Sequence, residues 1–191
     1  QVATLILPGD TAWDEGSGPA AVPPIAERAR VSEDAVKEAA RVLRTGEPTV
    51  LLLTGLALRE KGLALAARIA AKTGCRMLGQ TFNRRMERGA GRISIDRIPY
   101  PVEQAQKTLE GLKHIVLVGS RIPVAFFAYP DKPSLLAPKD TQFTTLATIE
   151  EDCVHALEWL ADELGATQQP IEPAKYGPMP LATGKIDSLT L

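Results

Sequence analysis

Two apolar runs that each end in glycine set the strongest limit on what this chain can fold into. Residues 50–55 read Val-Leu-Leu-Leu-Thr-Gly, and residues 114–121 read His-Ile-Val-Leu-Val-Gly-Ser-Arg. A continuous apolar run is a strand covered on both faces, as in a parallel sheet; a strand with one wet face would alternate. A glycine at the carboxyl end lets backbone N–H groups approach a ligand with no side chain between them. Open α/β sheets bind their ligands at those carboxyl ends.

The stretches between the runs have helical spacing. Ser32 is a good N-cap with Glu33 and Asp34 behind it, and Ala35, Val36, Ala39, Ala40 and Leu43 follow on one face until Thr45-Gly46-Glu47-Pro48 stops the helix. A second helix is expected over 58–72, with Leu58, Leu65, Ala66, Ile69 and Ala70 inward, ended by Thr73-Gly74. A short strand follows at 75–78. Residues 79–101 are irregular, with room for one short third strand. A helix over 102–112 turns Val102, Ala105, Leu109 and Leu112 inward, and 115–118 reads as the central strand. Weaker strands are expected at 133–136 and 143–146. A final helix over 149–164 carries Val154, Leu157, Leu160 and Leu164 on one stripe, with Glu150, Glu151 and Asp152 in its first turn. Strands alternating with helices predict an α/β fold: a three-layer α/β/α Rossmann-like domain with a mostly parallel, about six-stranded sheet.

Both ends read differently. Residues 2–10 are strand-like, and 16–24 have the glycine and proline of a linker. After Gly165 the chain passes Pro170, Pro173, Gly177, Pro178, Pro180 and Gly184 with no helical period. The expected organisation is a strand-like end plus linker over 1–30, a central domain over 31–165, and an extended linker over 166–191 leading to a further domain. An excised middle domain is the simplest reading.

Composition excludes several function classes. With 22 Lys and Arg against 23 Asp and Glu, there is no global charge to draw nucleic acid or an anionic membrane. Arg84, Arg85, Arg88 and Arg92 are locally dense but interleaved with Glu87 and glycines, so a solvated loop is favoured over an anion site. Cys75 and Cys153 are too few for a disulfide framework or a zinc site and read as buried thiols, which with the absence of a signal-peptide pattern points to the cytoplasm. No run reaches the length of a spanning helix. His114 reads as a strand-edge residue. His155 has Glu151 and Glu158 one turn away, and a carboxylate pairing is favoured over a metal site. Phe126, Phe127 and Tyr129 form an aromatic knot that could line a crevice or pack an interdomain surface, and packing is favoured because a loop this apolar needs cover.

The one constellation with ligand logic is the pair of glycine-ended strands. The helix after Gly55 would aim N–H groups at a phosphate, Ser120 could donate a hydrogen bond, and Arg121 could hold a diphosphate. The dinucleotide and P-loop fingerprints are both missing, and no nucleophile elbow is present. Glycines that merely finish strands stand at even weight with glycines that bind a ligand.

Several segments resemble thiamine-diphosphate-dependent enzymes of the acetolactate-synthase-like family. Residues 4–13 (Thr-Leu-Ile-Leu-Pro-Gly-Asp-Thr-Ala-Trp) resemble the last strand and exit of that family's pyrimidine-binding domain. Glu47-Pro48 and residues 50–55 resemble the first strand of its central domain, residues 119–130 resemble a later loop of one branch, and 186–191 resemble the lead-in to its diphosphate-binding domain. The resemblance implies a parent enzyme that uses thiamine diphosphate and magnesium to decarboxylate a 2-oxo acid, followed by ligation or protonation. The parent would be a homo-oligomer, a lyase or transferase. It also implies that the activating glutamate and the Gly-Asp-Gly magnesium motif lie in the domains on either side. No Gly-Asp-Gly occurs here, so no catalytic and no metal-binding residue is expected, and this polypeptide alone is expected to be inactive. The partners implied are the pyrimidine- and diphosphate-binding domains of the same parent, with no nucleic acid and no membrane. In some members the central domain binds FAD or ADP, and by position Gly55, Thr81, Gly119, Ser120 and Arg121 would face that nucleotide. Residues 80–85 depart from the glycine- and lysine-rich form of the nucleotide-side loop, which tells against FAD. The alternative is a self-sufficient FAD, ADP or NAD module. A sirtuin-like deacylase would need four zinc cysteines, and two cannot supply them.

Overall fold

A computed structural model describes residues 4–16, 18–178 and 184. The elements are α1 (Gly9–Trp13), α2 (Glu33–Arg44), β1 (Thr49–Leu53), a 3₁₀ turn (Gly55–Leu58), α3 (Glu60–Thr73), β2 (Arg76–Gly79), β3 (Asp96–Arg97), α4 (Val102–Leu109), β4 (His114–Val118), β5 (Gln142–Ala147) and α5 (Cys153–Glu163). The five strands are all parallel, in the order β3-β2-β1-β4-β5. The sheet is therefore parallel as expected, with five described strands instead of about six. β1, not the 115–118 run, is its middle strand.

Alternation along the buried strands decides the layers. Leu51, Leu53, Val116, Val118 and Leu146 face α2, α3 and α5 in one core, while Val50, Leu52, Ile115, Leu117 and Leu78 face α4 in the other. Leu51, Leu52 and Leu53 are each completely buried. Burying a leucine contributes roughly 1.5–3 kcal/mol, so β1 alone anchors both layers. The second core has only one helix. Residues 133–138 complete it: Leu136 and Ala137 are buried there.

That segment is not the strand expected at 133–136. Pro133 has no N–H for a ladder, and Leu135 makes only one antiparallel bridge to Val124, flanked by Ala125 N–H to Ser134 O (2.8 Å) and Leu136 N–H to Pro123 O (3.1 Å). The final helix is also shorter than expected. Asp152 is its N-cap, its carboxylate accepting from Val154 and His155 N–H at 3.0 Å, so Glu150 and Glu151 stand outside the helix instead of in its first turn. The strand-like amino end pairs with nothing over residues 4–8: Leu5, Ile6 and Leu7 are 88%, 82% and 64% exposed, and the chain turns into α1 behind Pro8. A strand without a neighbouring strand has no partner for its backbone groups. Its first two residues, and the 186–191 segment, lie outside the described residues.

The chain beyond α5 follows the domain surface. Ala166 is buried, Ile171 packs on the larger core, Arg68 donates to Thr167 O (2.8 Å), and Ala174 exchanges two 2.8 Å backbone bonds with Gly91 and Arg92. Among the described residues no helix is long and apolar enough to cross a membrane.

Candidate functional site

The strand order reverses between β1 and β4, which go on to β2 and β5 on opposite sides. A crevice must open where their carboxyl ends diverge. Thr54-Gly55 and Gly119-Ser120 lie at that point, joined by Thr54 N–H to Val118 O (3.2 Å) and by a bridge between Leu53 and Gly119. The register of β4 against β5 shifts between Leu117 and Val118, placing an irregularity beside the crevice.

The five residues singled out from the sequence are distributed over three hollows. Gly55 lines one of about 790 Å³. Gly119, Ser120 and Arg121 line a second of about 510 Å³. Thr81 and Arg121 line a third of about 230 Å³. Arg121 is exposed and has no ion-pair partner among the described residues. Thr81 receives a long 3.4 Å bond on its carbonyl from Arg97.

Much of the expected donor set is already engaged. The Ser120 hydroxyl is buried and donates to Leu52 O at 2.7 Å, so it ties two strands together in place of offering that proton to a ligand. Gly119 N–H is bound to Ala147 O (2.8 Å) and Gln80 N–H to Leu53 O (3.0 Å). Ile149 stands over both glycines. Its Cδ1 lies 3.1 Å from where a Cβ on Gly55 would sit and 3.6 Å from the equivalent point on Gly119. The close approach that these glycines permit is thus used by the protein's own chain.

The start of α3, the natural place for a phosphate, holds an internal anion. The Glu87 carboxylate accepts from Glu60 N–H at 2.8 Å, the first N–H of the helix, and lies 3.8 Å from Arg59 and 3.7 Å from Arg92. Arg92 also pairs with Glu60 at 2.8 Å. Glu87 therefore pins the 80–95 loop onto α3.

Sequence reasoning missed what lies beside it. Arg28, Arg59, Arg84 and Arg85 line the Gly55 hollow, together with the single acid Glu151. Arg28 donates to Ile149 O (3.0 Å), and no ion pair engages Arg84 or Arg85 among the described residues. Arg84, Arg85 and Arg88 are exposed, in keeping with a solvated arginine loop, while Arg92 is drawn into ion pairs with Glu60 and Glu87; Arg84 and Arg85 also line the Gly55 hollow. No local signal could have shown this, because Arg28 and Arg84 come from segments far apart in sequence.

The cysteines and histidines have structural surroundings. Burial pushes both cysteine thiols up to about 11, so neither is a thiolate nucleophile near neutrality. His114 sits at the start of β4 with Nε2 at 2.8 Å from Glu47. His155 does not form the expected carboxylate pairing. Its ring meets Trp159 edge-on at 6.0 Å, while Glu151 accepts from Thr148 N–H and Glu158 pairs with Lys61. Among the described residues no three His, Cys, Asp or Glu side chains converge as metal ligands. Within this chain the aromatic knot is exposed, Phe126 and Phe127 being 63% and 55% accessible.

Comparison with known proteins places this geometry. The chain is 44% identical over all 191 residues to a Mycobacterium tuberculosis H37Rv protein described as "Putative acetolactate synthase large subunit IlvX", and it spans 36% of that relative's length. Similar solved structures include the thiamine diphosphate-dependent 4-hydroxybenzoylformate decarboxylase of Rhodococcus jostii RHA1 (TM-score 0.59, 17% identity, 85% of this chain and 33% of that one). Benzoylformate decarboxylase from Polynucleobacter necessarius is another (TM-score 0.55, 14% identity, 91% of this chain and 34% of that one). No protein-family model matches. The resemblance read from the residues is thereby borne out: the chain is related along its whole length to an acetolactate-synthase-like protein, and its fold is that of a domain of thiamine-diphosphate-dependent enzymes.

Proposed function

We infer that this chain serves as the central, structural domain of an acetolactate-synthase-like enzyme that decarboxylates a 2-oxo acid with thiamine diphosphate and magnesium. The observation that supports this most is end-to-end similarity to only about a third of its relative. The exposed apolar stretch of Leu5, Ile6 and Leu7, with Trp13 at 90% exposure, fits a strand that completes the sheet of a preceding pyrimidine-binding domain. On this reading 1–30 and 166–191 are the connections, 31–165 is the body, the cofactor is held by the adjoining domains, and the parent is a homo-oligomer. This chain contributes position and surface and takes no part in proton transfer or bond making. A chimera tests it: replace the matching third of the M. tuberculosis relative with this chain. The expected product is soluble and has the relative's own oligomeric state. A chimera that aggregates while the isolated chain stays folded, or 2-oxo acid turnover by the isolated chain, overturns the reading.

One observation favours a second role for the same domain. The four arginines beside Gly55 suit the diphosphate of a nucleotide such as ADP, held by guanidinium forks and not by the covered glycines. ADP is then expected to raise the melting temperature of this chain, and the Arg84→Glu/Arg85→Glu variant to lose that rise. An unchanged melting temperature at millimolar ADP removes nucleotide binding, FAD included, from the account.

A further inference from the structure

At the opposite side of the sheet from β5, a groove lies between β2, β3 and α4. Arg76, Arg88, Arg97 and Lys107 line it, in a hollow of about 780 Å³. Elsewhere many cations of this chain are neutralised: Lys37, Arg41, Arg44, Lys61, Arg92, Lys113 and Lys132 each face a carboxylate. The four in the groove have none among the described residues. Arg76 donates to Thr108 O (3.1 Å) and Arg88 to Ile95 O (3.3 Å), bonds that aim each guanidinium without cancelling its charge. Asp96 is the one acid in the lining, so the local balance is three positive charges.

The groove does not end blindly. Pro99 and Tyr100 also line the neighbouring hollow of about 230 Å³, which Phe82, Val124 and Phe126 enclose. Tyr100 stacks edge-on with Phe82 at 5.7 Å, Phe82 tilts against Phe126 at 5.1 Å, Phe126 meets Phe127 at 4.7 Å, and Phe127 meets Tyr129 at 6.0 Å. Five of the nine Phe, Trp and Tyr residues of the chain therefore meet on one exposed surface. Rings that stack on one another hold fixed orientations and lose little entropy when covered. Aromatic and arginine side chains around a small pocket are the composition of interface anchor sites.

We propose that this continuous surface docks an extended acidic segment of a partner protein, with one large apolar residue seated in the Phe82–Tyr100–Phe126 pocket. Charge complementarity selects the acidic residues: alternate side chains of an extended segment fall along the groove against Arg97, Arg88 and Lys107. The small pocket has room for a single side chain, which sets the register. The surface meets the Gly55 hollow at Phe82, but its cations are a different set from the arginines of that hollow.

Fluorescence anisotropy on this chain tests it, with a labelled peptide Glu-Val-Glu-Val-Glu-Val-Phe, its Glu→Lys counterpart, its Phe→Ala counterpart, and tripolyphosphate as competitor. The expected result is saturable binding of the acidic peptide alone. Affinity should fall tenfold or more in Arg97→Glu/Lys107→Glu and severalfold for the Phe→Ala peptide and for Phe126→Ala. It should fall steeply with NaCl. Lys72→Glu, an exposed charge reversal at the end of α3, should change binding less than twofold. Far-UV circular dichroism checks that each variant is folded, and Arg97→Gln/Lys107→Gln replaces the reversal if it is not. No saturable binding, equal loss in Lys72→Glu, indifference to the phenylalanine, or displacement by tripolyphosphate at equal charge concentration would overturn the proposal, the last by reducing the groove to a simple anion site.

Discussion

Gly62→Ala is expected to lower stability by about 2–3 kcal/mol, read as a shift of the urea midpoint with an unchanged slope. Helix propensity alone predicts the opposite, since alanine is favoured over glycine in a helix interior by about 0.8–1 kcal/mol. Packing decides. A Cβ on Gly62 would lie 2.6 Å from Ala57 O, 2.7 Å from Ala57 Cα and 2.9 Å from Ala57 C. Those are backbone atoms of the 3₁₀ turn that leads from β1 into α3, so no rotamer change can make room. The turn must separate from the helix, and overpacking of that kind costs about 1–3 kcal/mol or more. Because this turn carries Gly55 and Leu56, the same variant should also deform the Gly55 hollow. A stabilised Gly62→Ala would mean that the turn and α3 are not in contact.

Gly119→Ala is expected to cost a similar amount for two separable reasons. Its φ of +70° is left-handed, which costs an L-residue roughly 1–2 kcal/mol. Its Cβ would also stand 2.9 Å from Cys153 Sγ. Cys153→Ala in the same chain removes the collision and leaves the backbone strain. The double variant should therefore be less destabilised than the sum of the singles, by at least about 0.5 kcal/mol. Strict additivity would show that Gly119 is required for its dihedral angle alone.

These two glycines show where reading the residues succeeds and where it stops. Local signals carried far. Ser32 caps α2, its Oγ accepting from Ala35 N–H at 3.2 Å, and Gly74 ends α3 at φ +75°. The strands at 49–53 and 114–118 are buried on both faces, with only His114 part-exposed. Those features depend on neighbours a few residues apart, where side-chain chemistry acts through short, predictable geometry. Errors fell where partners were distant. Residues 133–136 lost ladder status to Pro133. The weight given to the final helix's three acids was misplaced, because Asp152 N–H is bound to Ala29 O and Glu151 bridges to Ala29, an ordering set by a segment more than a hundred residues away.

The sequence by itself determined the layered parallel architecture, since unbroken apolar runs can be satisfied only by cover on both faces, and it determined the kinship that the comparisons bear out. Only the tertiary structure decided what the crevice offers. Whether a glycine, a serine hydroxyl or a helix start is available to a ligand depends on which remote side chain reaches it first. Here Ile149, Leu52 O and Glu87 do so. Folding also gathers Arg28 with Arg84 and Arg85, and brings the groove cations together between β2, β3 and α4, across separations that no spacing rule encodes.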